Sequence, residues 1–180
     1  MKIAALMVMT MMAGVMARAG QPPKKLTVYL VDKGPIPPAI RTAALDLAAK
    51  MLTTIGIRLD WRRSEPPRIS SERLIVIELA TRTPSNLLPG ALGYALPYEG
   101  VHITVFYDRI PREVVPLTIA VLSHVLVHEI AHVLQRVSRH SDSGIMKAVW
   151  TNQDYRRMKM EPLSFTPRDV ELIQLGMENK

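Results

Sequence analysis

The 180-residue chain carries 23 Lys+Arg against 16 Asp+Glu, a formal charge of +7, and contains no cysteine. Disulfides are therefore excluded, and stability has to come from a packed core or a bound metal. The basic residues are scattered, as two Arg-Arg pairs and single arginines without aromatic interleaving or a basic arm, which argues against a nucleic-acid partner.

The chain opens with "MK" and the apolar run "IAALMVMTMMAGVM", and Ala17 and Ala19 then occupy the small-residue positions of a signal-peptidase site. Fourteen residues fall short of the roughly 20 needed to span a bilayer. The expectation is a secretory signal over 1–19, a linker over 20–25, and one domain over 26–180. Cleavage removes Lys2 and Arg18, leaving 21 basic against 16 acidic residues, or +5. The product would be secreted or periplasmic, without a stable membrane anchor, and monomeric.

"LTVYLVD" (26–32) is rich in β-branched and aromatic residues and predicts a strand. After "GPIPP", Ile40, Ala43, Ala44, Leu47, Met51 and Ile55 recur at helical spacing, with Gly56 as a stop. "IRLDW" (57–61) and "RLIVIELA" (73–80) are further strands, the latter apolar enough to be central. "LGYAL" and "VHITVFY" (101–107), joined by the turn "PYEG", predict a hairpin that adds antiparallel pairing.

The longest helical pattern starts at Val115, with Pro116 in its first turn and "HEIAHVLQRV" at its end. "TPRDVELIQLGM" closes the chain, with Thr166 as N-cap, Pro167 first in the helix and Asp169 spaced for a capping interaction. The fold class is α/β (α+β): a mixed, mostly parallel twisted sheet with an antiparallel edge strand. A backing helix, an active-site helix and a C-terminal helix complete it.

The chemistry is concentrated in "HEIAHVLQRVSRHSDSGIM" (128–146), which holds three of the five histidines. On a helix, His128 and His132 lie on one face about 6 Å apart along the axis, within reach of one cation. Neutral imidazoles suit zinc, and a catalytic zinc keeps three protein ligands and an open position. Glu129 stands next to the first ligand, where it can carry a proton between water and a leaving amine. His124 is one turn too far to share a tetrahedral ion with His132 and reads as a packing residue or a support to the ligands. His102 falls out of phase with Val101, Ile103 and Val105 and reads as a polar face residue. The open strand near Gly93, Tyr94 and Ala95 is suited to bind an extended peptide by strand addition.

This segment resembles the metzincin metallopeptidases, and their matrixin-like branch most closely, in which H-E-x-x-H-x-x-G-x-x-H is followed by a Met-turn. His128, Glu129 and His132 match the pattern. "HS" at 140–141 is similar to the family's third histidine and the small polar residue after it. "GIM" at 144–146 is similar to the Met-turn. The interval from His128 to Met146, 18 residues, resembles the matrixin spacing. The resemblance implies one zinc bound by His128, His132 and His140, Met146 beneath the metal, and Glu129 as general base. It also implies that "LGYALPYEGVHITVFYDR" contains the substrate-binding edge strand, so that Gly93, Tyr94 and Ala95 hold a peptide or protein substrate. Two departures stand out: Gln135 replaces the family glycine, and His140 follows His132 by eight residues instead of six. The helix must then end near residues 135–137 and the chain fold back through "QRVSR". Asp142, Glu161 and Glu171 are the competing third ligands.

The function expected is an exported zinc-dependent endopeptidase. The alternative is a non-enzymatic exported module, stabilised by zinc, that binds a peptide or protein partner at its sheet edge.

Overall fold

The computed structural model describes residues 22–67, 73–87 and 89–178, so the expected signal segment lies outside the described residues. Five strands and four helices follow one another as β1 (Lys24–Asp32), α1 (Pro38–Thr53), β2 (Ile57–Arg62), β3 (Leu74–Ala80), β4 (Gly93–Ala95), β5 (His102–Phe106), α2 (Val115–Gln135), α3 (Asn152–Met158) and α4 (Pro167–Glu178). The first strand starts two residues ahead of Leu26, because Lys24 and Lys25 pair in register with Ile57 and Arg58.

The strand order is β2-β1-β3-β5-β4. β1 runs parallel to β2 and β3, and β3 parallel to β5. Only β4 is antiparallel, at the edge beside β5, as the hairpin pattern predicts. β3 is the middle strand. Period-2 alternation turns Leu26, Val28 and Leu30 of β1, Ile75, Ile77 and Leu79 of β3, and Ile103 and Val105 of β5 into the core.

Helix α1 lays Ala44, Leu45, Ala48, Met51 and Leu52 into that core and packs along α2. Helix α2 runs through the core. Seventeen of its 21 residues are buried, including every one from Ala120 to Gln135. A helix buried on all sides is a core helix, so its histidines and glutamate have no wet face on which to be idle. Truncating an interior residue such as Leu126 or Ile130 to alanine would cost about 2–5 kcal/mol through lost burial and a residual cavity.

Helix α4 starts as expected. The Thr166 amide and hydroxyl donate to Asp169 Oδ2 at 3.0 and 2.7 Å, and the Asp169 amide donates back to the threonine hydroxyl at 3.2 Å. Helix α3 is an element that sequence periodicity missed. Seven residues are too few for a periodic signal, and the helix rests instead on a capping box between Thr151 and Asp154.

Candidate metal centre

The centre is assembled from helix α2 and from the irregular segment after it. Polar side chains buried on α2 are costly unless they find partners of their own. His128 Nδ1 lies 2.8 Å from the Ile145 carbonyl, and His132 Nδ1 lies 3.3 Å from the Val137 carbonyl. A carbonyl only accepts, so both Nδ1 atoms carry the proton and both Nε2 atoms present bare lone pairs. Those two Nε2 atoms face each other at 3.0 Å. With no proton to share, two lone pairs at this distance repel, and a cation between them turns repulsion into ligation. Tetrahedral zinc bound at 2.0–2.1 Å sets neighbouring nitrogens about 3.3 Å apart, so the pair fits.

His140 joins them. The ligand nitrogens of His128, His132 and His140 all lie within 4.8 Å of one another, and no other histidine or carboxylate group that could hold an ion occurs among the described residues. The competitors stand elsewhere: Asp142 is exposed, and Glu161 and Glu171 form surface ion pairs with Arg157 and Arg168.

How the chain folds back explains the missing glycine. Helix α2 ends at Gln135, which stays helical, and the reversal falls one residue later on Arg136, the only non-glycine with positive φ among the described residues (φ 56°, ψ 25°). Its amide donates to the His132 carbonyl at 3.0 Å, as a left-handed cap does. The two added residues of the connector carry His140 back to the helix.

Side-chain hydrogen bonds then hold the returning segment. Asp169 is fully buried, and its Oδ1 accepts from Arg139 at 2.8 Å and from the Ser141 hydroxyl at 2.7 Å. Burial alone would raise this carboxyl, but hydrogen bonds from Ser141, Thr166 and Arg139 outweigh it and hold the group below its ordinary value. Both neighbours of His140 are thus tied to one carboxylate, and the Ser141 amide also donates to the Met146 carbonyl at 2.7 Å. Sequence reasoning saw Asp169 only as a cap; its second role depends on a partner 28 residues away, which no local pattern reveals. Met146 is fully buried in the turn that follows. Gly144 opens that turn at φ 75°, and a β-carbon there would lie 2.1 Å from the Ser164 carbonyl, so only glycine fits.

Burial also sets the protonation states. It lowers His128 to about 3, with His132 beside it adding to the effect, and lowers His132 to about 4. His140 is lowered as well, first by burial and then by Arg139. All three are neutral imidazoles at pH 7, the form that ligates metal. Glu129 is 7 % exposed, and burial pushes its carboxyl up to about 8.

Glu129 lies against the edge strand. A β-carbon on Gly93 would come within 3.1 Å of Glu129 Cγ and Oε1, so the missing side chain is what lets β4 approach the carboxyl. The bonds from the Phe106 amide to the Leu92 carbonyl (2.8 Å) and from the Leu96 amide to the His102 carbonyl (3.2 Å) fix the ladder phase. By alternation, Tyr94 also turns its main chain to β5, while Gly93 and Ala95 turn theirs to the open edge. Tyr94 itself stacks on Phe106, with ring centroids 6.0 Å apart. Of the three expected strand residues, Gly93 and Ala95 thus offer backbone to a ligand, and Tyr94 braces the hairpin.

His102 is exposed and hydrogen-bonds Glu99, far in character from a ligand. His124 is fully buried with both ring nitrogens occupied, by the Ala120 carbonyl at 2.6 Å and the Leu163 amide at 2.9 Å.

No known protein family and no curated protein matches the sequence. Solved structures do match the fold. An archaemetzincin from Methanopyrus kandleri superposes with a TM-score of 0.62 at 17% identity, covering 92% of this chain and 100% of that one. An archaemetzincin from Archaeoglobus fulgidus, solved with malonate, gives 0.54 at 14%, covering 82% and 99%. The fold is metzincin-like. These neighbours speak for that fold and not for the matrixin-like branch.

Proposed function

We propose that this protein is an exported zinc-dependent endopeptidase. One observation carries the reading: a buried carboxyl, Glu129, follows the first of two imidazoles on the same buried helix, and the bare nitrogens of those imidazoles converge with that of His140. A merely structural ion needs no such carboxyl. A zinc ion on these nitrogens would act as a Lewis acid, polarising a peptide carbonyl and acidifying water.

The chain supplies the rest. Gly93 and Ala95 pair with an extended peptide, lending main-chain hydrogen bonds that any sequence can use. Glu129 takes a proton from the attacking water and hands it to the leaving amine nitrogen. In the metal-free fold burial pushes its carboxyl up to about 8, so the group is protonated at pH 7; a cation held by the neighbouring imidazoles would lower it and leave a carboxylate able to accept. Support for a matrixin-like ancestry comes from "HS", "GIM" and the His128–Met146 interval alone. Export rests on the apolar N-terminal run, and protein recovered outside the cytoplasm should begin at Gly20. The enzyme acts as a monomer, which sedimentation of the purified chain checks.

The test is hydrolysis of a peptide library by residues 20–180. Cleavage should stop with a chelator and return with zinc. Glu129→Gln should keep its zinc and lose several orders of magnitude in rate, as expected for a lost proton carrier. Cleavage at the parental rate by that variant would overturn the mechanism. Zinc binding without any cleavage by the parent would favour the non-enzymatic module. Ala95→Pro, which blocks the open edge, should lower kcat/KM without releasing zinc.

A further inference from the structure

His124 is a puzzle of composition. It sits fully buried in the middle of an apolar helix, one turn before the first ligand, where leucine would fill the space without the desolvation cost of an imidazole. Its two hydrogen bonds resolve the puzzle in part. The Ala120 carbonyl can only accept from Nδ1, and the Leu163 amide can only donate to Nε2, so His124 is neutral with its proton on Nδ1. The imidazole therefore provides an acceptor for an amide that would otherwise be orphaned in the core.

What that amide belongs to matters more. Leu163 is followed by Ser164, whose carbonyl accepts the Ile145 amide at 3.0 Å. The Ile145 carbonyl in turn accepts the Nδ1 proton of His128 at 2.8 Å. There is no slack between the two strips of chain, since a β-carbon on Gly144 would sit 2.1 Å from that same serine carbonyl. Trp150 ties the Gly144 strip to helix α2 as well: its Nε1 donates to the Gly144 carbonyl at 3.3 Å, and its ring stands edge-on to His124 and His128 at 6.1 and 5.6 Å between centroids.

We infer that His124 is a positioning residue of the metal centre, which acts through Leu163, Ser164 and Ile145 to hold His128 with its proton on Nδ1 and its Nε2 free. The relay is made of this chain's own hydrogen bonds. It rests on the zinc reading only for its consequence, a lowered metal affinity when the relay is cut.

Nitrogen-15 NMR of the imidazoles in metal-free protein reads the relay directly, alongside zinc affinity by chelator competition. His124→Gln places an amide oxygen about where Nε2 stands and should keep both properties near parental. His124→Phe removes the acceptor, and His124→Asn is too short to offer one to Leu163. Each should shift His128 toward a mixture of tautomers and weaken zinc about 10–100-fold, the range for groups that orient a ligand. Ile57→Ala, a core truncation in β2 away from the relay, serves as the control for lost stability. It should lower Tm while leaving the His128 tautomer and zinc affinity unchanged. The proposal is overturned if both Phe and Asn variants keep the parental tautomer and affinity. It is equally overturned if Ile57→Ala loses as much affinity at a matched Tm. If Phe does not fold, Asn decides. If the parent binds no zinc, the proposed function fails, and the tautomers still decide this point.

Discussion

Helix α2 and the segment from Arg136 to Trp150 deliver ligands to one centre by opposite means. In α2 the backbone does the placing: His128 and His132 are four residues apart in a rod buried on every side, so their relation follows from helix geometry and tight packing. In the returning segment the backbone is irregular, and His140 owes its place to a left-handed Arg136, the fully buried Asp169 and the tight turn at Gly144. A helix tolerates change at any one of its supports. A loop hung from a few polar contacts fails at each of them. Damage to the helix should therefore strike the metal directly, whereas damage to the loop should strike it through residues that never touch metal.

The largest effect belongs to the ligands. His128→Ala should weaken zinc by about a thousandfold or more, beyond the 10–100-fold range of supporting residues, as read by chelator competition. His140→Ala should also weaken it far more than Asp142→Ala, Glu161→Ala or Glu171→Ala. The reverse ranking would break the comparison, since the loop would then bring a different ligand.

Asp169→Asn comes next. It deprives Arg139 and Ser141 of a shared charged acceptor in a buried place. The loss should be about 2–4 kcal/mol in urea unfolding and about 10–100-fold in zinc affinity. Lost stability with intact affinity would mean that His140 is held by something else.

Acid should separate the two regions in metal-free protein. His124, His128 and His132 titrate near 4, 3 and 4 in the fold, each lowered chiefly by burial, against 6.5 when free. Between these values the imidazoles bind more protons in the unfolded chain, so their contribution to stability is full above pH 6.5 and falls as pH drops toward 4, whereas Glu129, raised to about 8 by burial, favours the fold more as pH falls from 8 to 4.5. In Glu129→Gln, which removes the opposing carboxyl, Tm should decline by on the order of several degrees over that window. With His124→Gln added, and one buried imidazole fewer, it should decline less steeply. A flat profile would mean that the helix histidines are open to water.

The smallest effect tests the reversal itself. Arg136 holds a conformation that costs a side chain about 1–2 kcal/mol and glycine nothing sterically. Arg136→Gly should raise stability by about 1 kcal/mol without changing zinc affinity. A drop in affinity would show that the arginine side chain, and not only its backbone, shapes the loop.

The difference in legibility follows the same divide. Strand alternation, the period of α1 and α2, the "PYEG" hairpin and the Thr166 cap are local patterns, and each leaves its mark within a few residues. The His128-Glu129-His132 triplet is local too. The third histidine could be read only by its resemblance to a family pattern, because nothing between 133 and 139 marks a turn: Gln135 stands at the glycine position, and the left-handed residue is an arginine. The partners of Asp169, His124 and Gly93 lie 28, 39 and 36 residues away. Contacts of that span are created by packing and have no local signature. Helix α3 was hidden by its length, although its threonine and aspartate cap was in plain view.

Crystals of residues 20–180 grown with zinc, measured by anomalous diffraction at the zinc edge, test the central claim most directly. The account predicts one anomalous peak per chain, bonded to Nε2 of His128, His132 and His140 at about 2.0–2.1 Å, with a fourth position open toward Glu129. A peak elsewhere, a fourth protein ligand closing the site, or no peak at all would contradict it.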